Sequence, residues 1–138
     1  MEELEDAKEI CVDTDILIDY LKKKEPGSRA YERWRNKASV GVTSITVFEL
    51  LLGARQPSLK EKRYEEAKSL IEQHDVFAFD KHAAVEASEI GAELNRLGAG
   101  IEIRDLFNAS ICVNQGIPIL TRNKNHYQRV ERLELLDV

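Results

Sequence analysis

Short apolar segments alternate with helical ones along this chain, and no other feature constrains its fold as strongly. The apolar segments are residues 9–13 (EICVD), 39–43 (SVGVT), 76–79 (VFAF), 117–121 (IPILT) and 135–138 (LLDV). Between them, helical spacing and stop signals predict helices over residues 15–23, 27–36, 45–55, 58–73, 80–97, 104–115 and 123–132. Strands separated by helices predict a parallel sheet covered on both faces. In such sheets, sites form outside the carboxyl ends of the strands. Residues that end a strand therefore carry functional information.

With 138 residues, the chain suits a single domain over 1–138. No apolar run approaches the ~20 residues of a membrane span. The opening MEELEDAKE is acidic and lacks an apolar signal core, so a cytoplasmic protein without a membrane partner is expected. Cys11 and Cys112 each sit between Ile and Val and read as small core residues. The net charge of −5 argues against a broad basic platform for nucleic acid. It leaves room for a nucleic-acid enzyme that uses a bound cation and local basic patches.

The acids lie where the topology makes them informative. Asp13 directly follows the apolar run ICV, and a carboxylate drawn toward a core needs a partner. Glu49 is the one charged residue within 45–52 (ITVFELLL), a helix so apolar that burial is expected. It is either a site carboxylate or the wet side of that helix. Asp105 opens the helix 104–115, where the helix dipole alone favours an acid. Asn123 follows the fourth strand and reads as a helix cap or a site donor. Thr121 ends that strand and could orient a carboxylate. Asp15 and Ser44 are expected to cap their helices, with Asp15 a possible contributor to the site. Asp19 is expected on the helix surface, paired with Lys23. Clustered carboxylates resist joint ionisation, and hard divalent cations relieve that repulsion. Mg²⁺ takes one or two carboxylates and substrate phosphate, a chemistry suited to phosphodiester hydrolysis.

Three blocks in order resemble the PIN-domain family, especially its VapC-like toxin ribonucleases. They are VDTDILIDYL, TSITVFELLLGA and GAGIEIRDLFNASICVNQGIPILTRNKNHYQRV. The resemblance spans nearly the whole chain. It implies an α/β/α domain with a five-strand parallel sheet of order 3-2-1-4-5. It implies Mg²⁺ or Mn²⁺ held by Asp13, Glu49 and Asp105, with Asn123 at the fourth catalytic position and Ser44 and Thr121 in support. It also implies endonucleolytic cleavage of RNA, a VapB-like antitoxin and a homodimer. The chain departs from the family pattern at Asp15, where Asn is commoner, and at Asn123 and His126, where acids are commoner.

Arg122 and Lys124 flank Asn123 and are the best-placed candidates to contact RNA phosphates. Tyr31 and Trp34 share a helix face and read first as core. Two rival functions remain at this level. Asp13-Thr14-Asp15 imitates the Asp-x-Asp pair of haloacid-dehalogenase-like phosphatases, a mechanism that leaves Glu49 unexplained. A catalytically degenerate PIN-like module binding RNA or protein is the other.

Overall fold

The computed structural model describes residues 6–58 and 61–138. The sequence-based reading of residues 1–5 and the expected helical turn at Leu59 and Lys60 lie outside the described residues. The strands are β1 (Glu9–Val12), β2 (Ser39–Thr43), β3 (Asp75–Phe77), β4 (Ile119–Leu120) and β5 (Leu135–Leu136). The helices are α1 (Thr14–Lys22), α2 (Gly27–Arg35), α3 (Ser44–Ala54), α4 (Glu61–Glu72), α5 (Lys81–Arg96), α6 (Ile103–Gln115) and α7 (Lys124–Tyr127).

All four strand pairings are parallel, and the sheet order is β3-β2-β1-β4-β5, as expected from the alternation and the resemblance. Successive side chains of a strand point to opposite faces, and here each face meets its own core. Ile10 and Val12 join Ile16, Leu17, Tyr31, Trp34 and Val42 on one side. Cys11 joins Ile90, Leu94, Ala109, Cys112 and Tyr127 on the other. Tyr31, Trp34 and both cysteines are buried, as their sequence contexts indicate.

The boundaries depart from expectation at several points. The last helix ends at Tyr127 rather than near residue 132, because the chain turns there to bring Val130 and Leu133 into the core. Helix α3 is not buried all round: Phe48 and Leu52 are 57% and 54% exposed. Asp15 does not cap α1. The preceding Asp13 does, accepting from the Thr14 N–H. Thr43, not Ser44, caps α3 by accepting from the Thr46 N–H. In both cases the strand-ending residue has extended backbone and meets the free N–H groups directly. Ser44 instead accepts from the Phe79 N–H at 3.1 Å and fastens the chain leaving β3 to the start of α3.

Asp19 is the largest correction. It is 5% exposed and bracketed by the guanidinium of Arg122, with Nε 2.9 Å from Oδ2 and Nη2 3.2 Å from Oδ1. Its position on α1 faces α2 and the chain after β4, so Lys23 cannot be its partner in this arrangement. Gly27 makes room for it: a Cβ there would collide with the Asp19 side chain.

Candidate active site

The carboxyl ends of β1, β2 and β4 converge on one edge of the sheet. Asp13 leaves β1 with its backbone N–H donating to the Leu120 carbonyl of β4 at 3.0 Å. Its Oδ1 accepts from the Thr14 N–H at 2.8 Å, and its Oδ2 accepts from the Thr121 hydroxyl at 2.8 Å. The residue is 7% exposed. Burial pushes its carboxyl up to about 7, and the negative charges of Asp15 and Asp105 add to the shift. The two hydrogen bonds oppose that rise without cancelling it. The chain thus holds an acid where burial disfavours its ionised form.

Glu49 approaches from α3. Its Oε1 accepts from the Thr14 hydroxyl at 2.8 Å, and its Oε2 accepts from Arg104 Nη1 at 2.8 Å. Thr14 therefore links two acids, touching Asp13 through its backbone and Glu49 through its side chain. The Thr46 hydroxyl lies 2.9 Å from that of Thr14 and steadies it.

Asp105 enters from the first turn of α6. Three donors hold it: Asn123 Nδ2 at 3.2 Å and His126 Nδ1 at 2.7 Å on Oδ2, and the Tyr127 hydroxyl at 3.3 Å on Oδ1. Asn123 does not cap α7 with its side chain. Its N–H donates to Thr121 Oγ1 at 3.0 Å, and that hydroxyl in turn donates to Asp13. A continuous path runs Asp13–Thr121–Asn123–Asp105. A buried relay supports it from below. Thr43 donates to Asn108 Oδ1 at 2.6 Å, and Asn108 Nδ2 donates to the Tyr127 hydroxyl at 3.3 Å.

Asp15 stands beside this path. Its Oδ2 accepts from the Arg122 N–H at 3.0 Å, while its buried Oδ1 has no hydrogen-bond partner. Burial raises its carboxyl as well.

The two cations singled out in the sequence are engaged elsewhere. Arg122 grips Asp19, and Lys124 pairs with Asp137. Sequence reasoning missed Thr14, Arg104 and Asn108. Asn108 carried a signal, as a polar residue flanked by Leu106, Phe107, Ala109 and Ile111. Arg104 carried a weaker one, its adjacency to Asp105.

Among the described residues, no three His, Cys, Asp or Glu side chains already stand grouped to share one metal. The donor chemistry nevertheless fits a hard cation. It consists of the carboxylate oxygens of Asp13, Glu49 and Asp105, with the unpartnered buried Oδ1 of Asp15 beside them.

Comparison with known proteins identifies the family. Residues 10–133 match the PIN domain model. The chain is 30% identical over 127 residues to the tRNA(fMet)-specific endonuclease VapC of Shigella flexneri, covering 91% of this chain and 95% of that one. It is 27% identical to Ribonuclease VapC1 of Methanocaldococcus jannaschii, covering 96% and 88%. The structure superposes with a TM-score of 0.84 and 25% identity on DNA-bound VapBC from Salmonella typhimurium, covering 94% and 98%. The chain belongs to the PIN domain family.

Proposed function

We propose that this protein is an endoribonuclease that hydrolyses RNA phosphodiester bonds, the toxin of a toxin–antitoxin pair. The observation that carries the reading is the linkage of Asp13, Glu49 and Asp105, delivered by three separate elements, through Thr14, Thr121 and Asn123. The names of its relatives, VapC endonuclease and ribonuclease, support the same reading.

Asp13, Glu49 and Asp105 would hold Mg²⁺ or Mn²⁺, with Asp15 adding negative charge. Bound there, the metal would activate water and stabilise charge on the phosphate. Asp13 is fixed by two hydrogen bonds, and burial makes it hold a proton that a bound cation would displace near neutrality. Asn123 and His126 orient Asp105 from one side, and Tyr127 does so from the other. Glu49 is held by the Thr14 hydroxyl and by the half-exposed Arg104.

An antitoxin partner has a surface available. An apolar groove lined by Ile18, Leu21, Leu50 and Ala54 runs to Glu49 between α1, α3 and α4. Phe48 and Leu52 lie exposed on the same helix as Glu49. A similar structure, VapBC from Salmonella typhimurium, is a DNA-bound complex, which supports a VapB-like partner here. We place the protein in the cytoplasm as a homodimer; no helix among the described residues is long and apolar enough to cross a membrane.

The test is incubation of the purified protein with total RNA in Mg²⁺ or Mn²⁺, followed by mapping of the new ends. Discrete internal cleavage that EDTA abolishes is expected. Metal-independent cleavage, or none with either ion, would overturn the reading and favour a degenerate binding module.

A further inference from the structure

Arg104 is a cation seated on an acid of the site. Its Nη1 lies 2.8 Å from Glu49 Oε2, and Nη2 reaches Glu102 at 3.5 Å. Its side chain is 55% exposed, against 18% for that of Glu49. It precedes Asp105 in the first turn of α6, so it is anchored beside the site whatever its head contacts. The other cations at this edge are committed differently. Arg122 holds the buried Asp19 and donates its backbone to Asp15, while Lys124 pairs with Asp137.

Both oxygens of the Glu49 carboxylate are engaged, Oε1 by Thr14 and Oε2 by Arg104. A divalent cation on Oε2 would compete with the guanidinium for the same oxygen. An ion pair this exposed is weak, and like charge would drive Arg104 off once Glu49 is shared with a cation. The released group is a planar fork suited to two phosphate oxygens, on the rim of a site that hydrolyses phosphodiesters. We propose that Arg104 is a movable phosphate-binding residue: it rests on Glu49 in the cation-free site and transfers to an RNA phosphate when Glu49 binds a divalent cation. This rests on the endoribonuclease reading above.

The proposal requires two readouts to move in opposite directions on Arg104→Gln. Removing the competing guanidinium should tighten Mn²⁺ binding to the RNA-free protein about 2- to 5-fold, as followed by the paramagnetic resonance of free Mn²⁺. Losing the phosphate contact should lower kcat/KM for an RNA oligonucleotide about 10- to 100-fold. It should also make the logarithmic salt dependence of KM shallower by about one unit. Arg104→Lys keeps the charge without the fork, so it should hold Mn²⁺ affinity near wild type and lose several-fold in kcat/KM. This second variant decides the matter if the glutamine variant does not fold. Weakened Mn²⁺ binding together with weakened cleavage would indicate a merely structural arginine and overturn the proposal. Tightened Mn²⁺ binding with unchanged cleavage would overturn it as well. Absence of cleavage by the wild-type protein is a distinct result that removes the endoribonuclease reading itself. The Mn²⁺ titration needs no RNA, and unchanged affinity in the glutamine variant still refutes the competition at Glu49.

Discussion

Asp13 carries two opposed demands. As the cap of α1 it must accept hydrogen bonds, and as a buried acid among acids it resists ionisation. Its raised carboxyl means that the folded state binds the proton more tightly than the unfolded chain does. Stability from this group is therefore complete below about pH 4 and is lost as pH rises toward 7. Asp13→Asn should raise the Tm of metal-free protein by several degrees at pH 8 and by much less at pH 4, as measured by calorimetry. Cation binding should reverse the wild-type deficit and release a proton near pH 7. Titration calorimetry in buffers of different ionisation enthalpy would show that release. At Tyr127, a Phe substitution keeps the ring in the core but leaves Asp105 Oδ1 without its donor. We expect a loss of about 1 kcal/mol in stability and a several-fold drop in cleavage, read by denaturant melts and kinetics.

At the scale of elements, the parallel order of the sheet was legible because short apolar runs alternate with helices. Asp13 and Glu49 could be singled out because acids at a strand end or within an apolar helix demand an explanation. Asp105, which the helix dipole alone would explain, entered through its place before the fourth strand and the family resemblance. The contacts between elements were not legible. Asp19 looks like an ordinary exposed acid at i+4 spacing from Lys23, and nothing local shows that Arg122, on another element, reaches across to it. The caps moved by one or two residues for the same reason: a strand-ending Asp or Thr already has the extended backbone that a cap needs. The α1–α2 contact depends on Gly27, whose missing side chain admits Asp19. Gly27→Ala should destabilise the fold by about 1–3 kcal/mol through overpacking, and weaken the hold of Asp19 on Arg122. Chemical denaturation measures the first effect.

At the scale of the whole molecule, a chain of net charge −5 is proposed to act on a polyanion. The acids that give it that charge include those that would bind the cation, so local sign and overall sign differ. The architecture makes this possible by bringing Asp13, Glu49 and Asp105 to one sheet edge while separate cores pack against the two faces of the sheet. Cleavage of a 5′-labelled RNA by wild type, Asp13→Asn, Glu49→Gln and Asp105→Asn tests this account most directly. Each neutral variant should fold and lose at least about 100-fold in rate, the scale of removing a positioned charge at a reacting centre. Wild-type cleavage rates in any folded variant of the three, free of contaminating nuclease, would contradict it.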